Sequence, residues 1–257
     1  MPDLGNWTTG ITDISRGVIA YRGEQIGNLI ERTELSDAIW LVLFGRQSTP
    51  GGVDALRRAL IAALDHGVAA PSTLVARATA STRGSLPLAI AAGMIAFAGP
   101  AHGGAAEEAA GIFCRIAEGG TVESATRAEI EPMLAAGARV PGYGHPYHDR
   151  DPRVPALMNG IETNRTYRRI AEEVERLVLQ RTGKPLYMNA DAAVAALLLD
   201  AGLAAAQVTL VTALGRAVGL AAHANEERTK EKPFRAPALS TVQFQPPGDR
   251  EKEKGGR

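Results

Sequence analysis

The chain alternates apolar segments with short turns that contain glycine or proline, and the spacing within these segments predicts helices. Between Val53 and Asp65, leucine and isoleucine recur three and four residues apart, which places them on one helical face. The same pattern predicts helices over residues 27–44 (one or two, with Ser36-Asp37 as a break or cap), 53–65, 74–82, 86–98, 105–117, 123–137, 165–181, 191–199 and 207–224. Residues 7–23 read as irregular or short strand-like structure. Roughly ten helices with little strand predict an all-α fold.

Composition supports this prediction and narrows the class of protein. Hydrophobic residues make up 45% of the 257 residues but aromatic residues only 5%, so the core must be built mainly from Ala, Leu, Val and Ile. Lys plus Arg and Asp plus Glu are both 28, so no overall field recruits nucleic acid or an anionic membrane. The single Cys114 excludes an internal disulfide and a cysteine-based zinc cluster.

The same features predict a cytoplasmic protein. The first residues lack the basic and apolar regions of a signal peptide, and the apolar stretches 89–98 and 192–199 are too short to span a bilayer. A charged segment at 248–257 is predicted to be a disordered tail.

Four turns carry titratable residues among glycines or at the start of an apolar helix. They contain His66, His102, His145 and Asp191. Each also has a simple structural interpretation, since His102 suits a helix end and Asp191 suits an N-cap. His145 and His148 have the spacing of metal ligands, but no third ligand lies nearby in the sequence, so no metal is predicted.

Taken in order, these segments resemble the successive motifs of the citrate synthase superfamily, up to about Pro237. The matching segments are Tyr21-Arg-Gly-Glu-Gln-Ile26, His66 with Pro71-Ser-Thr and Ala76-Arg77, Gly99-Pro-Ala-His-Gly-Gly-Ala105, Gly142-Tyr-Gly-His145 with Asp151-Pro-Arg153, Asn189-Ala-Asp191, Gly215-Arg-Ala-Val-Gly219 with Ala222-His-Ala-Asn-Glu226, and Phe234-Arg-Ala-Pro237. Because ordinary citrate synthases are considerably longer, the chain is most similar to stand-alone citryl-CoA lyases of this superfamily.

The resemblance implies roles for particular residues. His102 would donate a hydrogen bond to the thioester oxygen as it becomes an enolate, His145 would act on the hydroxyl that becomes the oxaloacetate ketone, and Asp191 would exchange a proton with the acetyl carbon. Substrate carboxylates would be bound by the residues that match the family's polar contacts, which are His66, Arg153, Arg216 and Arg235. The Gly142 and Gly144 loop would lie against coenzyme A.

The resemblance also implies a fold and an assembly. The expected architecture is citrate synthase-like, with a large helical domain of residues 1–104 and 200–257 and a smaller inserted helical domain of residues 105–199. The chain would form a homodimer in which Arg235 completes the neighbouring site. It would need no tightly bound cofactor, with a coenzyme A thioester as substrate.

Three functions are compatible with these residues. The first is reversible cleavage of citryl-CoA to acetyl-CoA and oxaloacetate. The second is condensation with hydrolysis, which would make citrate or 2-methylcitrate. The third is a non-catalytic relative that binds acyl-CoA.

Overall fold

The computed structural model describes residues 7–45 and 47–244, and the chain folds almost entirely into helices. The residues expected to form a disordered tail lie outside the described part. Near the N-terminus, three short antiparallel strands, β1 (Thr12–Ser15), β2 (Val18–Tyr21) and β3 (Glu24–Gln25), form a small sheet in the order β1-β2-β3. This confirms the strand-like interpretation of residues 7–23.

Eleven α-helices follow in the described residues. They are α1 (Ile26–Arg32), α2 (Leu35–Phe44), α3 (Gly52–Ala63), α4 (Pro71–Ser81), α5 (Leu86–Phe97), α6 (Ala105–Ala117), α7 (Val122–Ala135), α8 (Val154–Met158), α9 (Thr166–Thr182), α10 (Ala190–Asp200) and α11 (Ala205–Lys230), with a 3-10 turn at Leu239–Thr241. The all-α prediction is confirmed. The first predicted segment divides into two helices at 33–34 rather than at Ser36-Asp37, because Glu34 and not Ser36 precedes α2.

Helix α10 lies at the centre of the main core. All of its residues except Asp191 are buried, and it packs against α6, α9 and α3. Helices α6, α7 and α9 pack against one another around it, while α11 packs against α3, α4, α5 and α6. Because α10 is surrounded, its residues between Asp191 and Asp200 are apolar on every side, as expected of a central helix. The division into domains at residues 104 and 200 stays a prediction.

Two glycines let α11 approach the end of α3 closely. A Cβ atom at Gly219 would lie 1.9 Å from the carbonyl oxygen of Leu64, and one at Gly215 would lie 2.7 Å from that of Leu60. Any larger residue would push the helices apart. This contact brings Arg216, which lies between the two glycines, against the segment that follows α3.

Helix α11 also extends further than its apolar pattern predicts, to Lys230. By length and composition alone, α11 could cross a membrane. The apolar stretches 89–98 and 192–199 do not include this helix. Its buried residues, including the fully buried Arg216, instead pack against the neighbouring helices. A central helix of a folded domain meets the same criterion.

Candidate active site

The turns singled out in the sequence meet at one pocket of about 300 Å³ between the start of α4, the turn before α6 and the start of α10. Three histidines, an arginine and a carboxylate share its wall with small and apolar residues. The lining residues are His66, Ala69, Ala70, Pro71, His102, His145, Pro146, Tyr147, Arg153, Asn189 and Asp191. A pocket of this size with convergent polar groups is typical of a small-molecule site. Five of the seven predicted catalytic and substrate residues therefore line one pocket.

His102 is held by a hydrogen-bond chain and does not cap a helix. Its Nε2 lies 2.8 Å from Ser72 Oγ, which in turn accepts a hydrogen bond of 3.1 Å from Arg216 Nε. Because Arg216 can only donate, the Ser72 hydroxyl keeps its own proton for His102 Nε2, and this favours the tautomer with a proton on Nδ1. Burial and the charge of Arg216 both lower the pKa of His102. These contacts favour a neutral ring in which Nδ1–H is the donor.

His66 is also neutral. Its pKa is lowered to about 4, first by burial and then by the charge of Arg216 and the neighbouring His102 and Arg153. The ring packs in a cluster with His102 and Phe97, at centroid distances of 5.6 Å and 5.9 Å. His66 can therefore hydrogen-bond a ligand near pH 7 without adding charge to the pocket.

Asp191 occupies the first turn of α10, and the alternative interpretation as N-cap is wrong. The N-cap is Asn189, whose Oδ1 accepts a 2.9 Å hydrogen bond from the backbone N–H of Asp191. The Asp191 carboxyl is thereby left to face the pocket. Burial raises its pKa to about 6, although the charge of Arg153 acts in the opposite direction. Such a carboxyl exchanges protons near neutral pH, as a general acid or base must.

Arg153 is anchored by Asp151 in an ion pair whose carboxylate is buried, although the short sequence Asp151-Pro-Arg153 by itself is most simply explained as a turn with a surface ion pair. Arg153 Nε and Nη2 donate to the two Asp151 oxygens at 2.9 Å and 2.7 Å, and the Asp151 side chain is only 1% exposed. Burial opposes ionisation of Asp151, but the hydrogen bonds from Arg153 and the backbone N–H of Ala190 lower its pKa to about 2. The fixed charge of Arg153 remains accessible to a ligand because its side chain is 35% exposed.

Arg216 lies behind the pocket. Its guanidinium is fully buried and donates to Asp65 Oδ1 at 2.9 Å, to Ser72 and to Thr73 Oγ1. Most of its donors are thus already used inside the protein. In this conformation Arg216 orients Ser72 rather than lining the pocket.

His145 presents a donor to the pocket. Its Nδ1 accepts hydrogen bonds from the backbone N–H groups of Tyr147 at 3.1 Å and His148 at 3.2 Å. Burial lowers the pKa of His145, although Asp151 acts in the opposite direction. In the neutral ring the remaining proton therefore sits on Nε2.

The Gly142–Gly144 loop is attached to the start of α10. Gly142 O accepts from Asn189 N at 2.9 Å, and Gly144 O accepts from Asn189 Nδ2 at 2.9 Å. Both glycines have positive φ, and a Cβ at Gly142 would lie 2.5 Å from that of Ala192. The alanine that follows Asp191 therefore allows this close approach of the loop. A role in coenzyme A binding stays a prediction.

Arg235 is not in the pocket of its own chain. Its Nε and Nη2 each donate to a Glu227 oxygen at 2.7 Å, in a bidentate pair at the far end of α11. The role of Arg235 in a neighbouring subunit's site stays a prediction. Among residues 7–45 and 47–244, no group of three or more His, Cys, Asp or Glu is placed to hold a metal ion.

Sequence reasoning missed Ser72 and Asn189 as site residues. Ser72 belongs to the Pro71-Ser-Thr segment, which reads as an ordinary helix start, and its contact with His102 spans 30 residues. Asn189 belongs to the matching segment Asn189-Ala-Asp191, in which only Asp191 is given a role by the resemblance. Both act by orienting the groups that the sequence did identify.

Comparisons with known proteins agree with this geometry. The family described as "Citrate synthase, C-terminal domain" matches residues 42–237. The structure of citryl-CoA lyase from Hydrogenobacter thermophilus superposes with a TM-score of 0.81 at 32% identity, covering 96% of this chain and 99% of that one.

Longer proteins match as well. A citrate synthase of Saccharolobus solfataricus is 29% identical over 84% of this chain and 62% of its own length. A Thermoplasma acidophilum citrate synthase solved with carboxymethyl coenzyme A and oxaloacetate superposes with a TM-score of 0.69 at 25% identity, over 83% of this chain and 58% of that one. The chain thus spans less than two thirds of these citrate synthases. With the family match covering most of its length and four of the seven matching segments meeting at one pocket, the chain belongs to the citrate synthase C-terminal domain family.

Proposed function

We propose that the protein cleaves citryl-CoA reversibly to acetyl-CoA and oxaloacetate. The observation that carries this proposal is the meeting of a neutral His102 donor, the Nε2–H donor of His145 and the Asp191 carboxyl at one pocket. Condensation or cleavage at the carbon next to a thioester needs a group that exchanges a proton with that carbon. It also needs donors for the enolate and ketone oxygens. The full-length match to a citryl-CoA lyase supports cleavage over synthesis with hydrolysis.

In the cleavage direction the tertiary hydroxyl loses its proton as the carbon–carbon bond breaks and becomes the ketone of oxaloacetate. The electron pair of that bond passes to the acetyl unit, which forms an enolate. His102 Nδ1–H donates to the enolate oxygen, and protonated Asp191 delivers its proton to the carbon. Contributions of this kind each lower a barrier by about 2–4 kcal/mol.

The role of His145 depends on which of its ring nitrogens carries the proton. In the tautomer that these two backbone contacts favour, the Nε2–H of His145 stabilises the ketone oxygen. To accept the hydroxyl proton at Nε2, the ring must instead carry a proton on Nδ1, which releases the N–H groups of Tyr147 and His148. Cleavage therefore requires the 145–148 turn to rearrange when substrate binds.

Binding of the oxaloacetate half is assigned to Arg153 and His66 at the pocket wall, with Arg216 behind them. Arginine binds a carboxylate with two parallel hydrogen bonds, and the exposed side of Arg153 can do so. A homodimer would bring Arg235 of the neighbouring subunit to the site. Large exposed apolar side chains on α5 and α11, among them Leu88, Ile95 and Val218, support such an assembly. A cytoplasmic location stays a prediction.

Products distinguish the three functions. Citryl-CoA is incubated with the protein, and oxaloacetate and acetyl-CoA are measured; acetyl-CoA with oxaloacetate is tested separately for release of the free thiol of coenzyme A. A lyase gives oxaloacetate in the first reaction and no thiol in the second. Thiol release, with acetyl-CoA or with propionyl-CoA, would overturn the proposal in favour of a synthase. Binding of a thioester without either reaction would identify a non-catalytic acyl-CoA-binding protein.

A further inference from the structure

His223 on α11 lies outside the pocket but is linked to it through Asp65. Its Nδ1 lies 3.4 Å from Arg77 Nη1, and its Nε2 lies 3.0 Å from Asp65 Oδ1. Because an arginine can only donate, Nδ1 is the acceptor, and the ring proton of the neutral imidazole is on Nε2. The ring thus donates to Asp65.

The environment of Arg77 keeps it in place for this contact. Its Nη1 also donates to Glu226 Oε2 at 2.8 Å, and its Nε pairs with the buried Glu227 at 2.9 Å. The Arg77 side chain is only 8% exposed. The acceptor state of His223 Nδ1 is therefore imposed by a fixed neighbour rather than by solvent.

Asp65 needs this second partner because burial does not restrain it. Its side chain is 47% exposed, and its oxygens accept from Arg216 Nη1 at 2.9 Å, from His223 Nε2 and from Gly67 N at 3.1 Å. Burial opposes ionisation of Asp65, but Arg216, Gly67 and His223 lower its pKa. The charged carboxylate is thus held in one orientation by donors from two sides.

We propose that His223 is a positioning residue, which acts through Asp65 and Arg216 on the catalytic ring of His102. The path runs from His223 Nε2 to Asp65, from Asp65 to Arg216, from Arg216 Nε to Ser72 Oγ and from Ser72 to His102 Nε2. Each step is a single hydrogen bond or ion pair of 2.8–3.1 Å. The catalytic consequence rests on the proposed function, whereas the effect on His102 does not.

Two amide replacements of His223 distinguish its hydrogen bond to Asp65 from its contact with Arg77. His223→Asn keeps an acceptor near the position of Nδ1 for Arg77, but its side chain is too short to reach Asp65. His223→Gln extends an N–H donor to about the position of Nε2. Loss of one hydrogen bond to a charged group predicts that His223→Asn lowers kcat/KM for citryl-CoA cleavage about tenfold. We expect His223→Gln to restore most of it, and Asn225→Ala, at an exposed position of the same helix, to have no effect.

A thermodynamic cycle tests the route. If His223 acts through Asp65, then His223→Asn has no further effect on kcat/KM in the Asp65→Asn background. Effects that add in the double variant, or a Gln variant as impaired as the Asn variant, would overturn the proposal. Unfolding curves of the variants establish that each one is folded.

A second readout does not depend on activity. The chain contains five histidines, so their ring nitrogens can be followed individually by NMR. His223→Asn is expected to shift His102 from a single Nδ1–H tautomer towards a mixture, whereas His223→Gln and Asn225→Ala leave it unchanged. Unaltered His102 signals in His223→Asn would refute the positioning role. If the wild-type protein cleaves no citryl-CoA, the proposed function fails, and the NMR result still decides the role of His223.

Discussion

Replacement of Asp191 by asparagine should make the folded protein more stable at neutral pH while it slows turnover strongly. The pKa of Asp191 is raised from 3.8 to about 6 by burial. At 1.36 kcal/mol per pKa unit, this shift corresponds to at most about 3 kcal/mol of destabilisation when the carboxylate is charged. Because Asp191 keeps some contact with solvent, we expect a gain of about 1–3 kcal/mol for Asp191→Asn at pH 7.5.

The sign of the pH dependence follows from the two pKa values. Below the unfolded value of 3.8 the carboxyl is protonated in both states, so the substitution has no electrostatic effect. Above pH 3.8 the unfolded protein loses this proton while the folded wild-type protein keeps it, so the advantage of the asparagine variant grows and reaches its maximum above about pH 6. The difference in free energy of unfolding should therefore grow between pH 4.5 and pH 7.5.

Urea unfolding followed by circular dichroism measures this difference. Asp149→Asn is the matched control, because Asp149 is an exposed carboxylate in the turn beside the pocket. If Asp191→Asn is no more stable than the wild type at pH 7.5, or its advantage does not change with pH, the carboxyl is not buried as described. In the same variant, loss of the proton donor should lower the cleavage rate by about 10²–10⁴.

Three further predictions concern the site and its support. Ser72→Ala should lower kcat/KM for cleavage about tenfold, measured by steady-state kinetics, because His102 Nε2 loses its partner; an unchanged value would remove Ser72 from the site. Cleavage needs protonated Asp191 and the reverse reaction needs its carboxylate. The cleavage rate should therefore fall above about pH 6, while the rate of deuterium exchange from D₂O into acetyl-CoA rises. If the two rates change with pH in parallel, Asp191 is not the group that exchanges the proton. Gly219→Ala should destabilise the fold by about 1–3 kcal/mol in urea unfolding, since its Cβ would lie against the backbone after α3. The control Gly111→Ala in α6, where the nearest atom is 3.7 Å away, should not be destabilised. Equal effects of the two substitutions would contradict the close contact between α11 and the end of α3.

The order and approximate bounds of the long helices could be predicted because apolar residues recur in them at helical spacing. Helix α6 has the predicted bounds, 105–117. Helix α8 was missed, since its five residues begin next to a proline within a segment without clear periodicity. The last turns of α11 were missed because the buried face there is carried by Glu227, which is paired with arginines, rather than by apolar residues.

The residues of the candidate site could be identified, but their partners could not. A histidine between glycines indicates close approach to a ligand, yet nothing in the local sequence shows that His102 meets Ser72 or that Arg216 is occupied by Asp65. These contacts join segments 30 and 151 residues apart and depend on how α4 and α11 pack. For the same reason the Asp151–Arg153 pair reads as a surface turn, although the carboxylate is buried against the start of α10.

Cleavage of citryl-CoA in D₂O, followed by mass spectrometry of the products, is the most direct test of the proposed reaction. We expect equal amounts of oxaloacetate and acetyl-CoA, with one deuterium entering the acetyl group at each cleavage event, when the enolate carbon is protonated. Unchanged citryl-CoA, or free coenzyme A formed together with citrate, would contradict it.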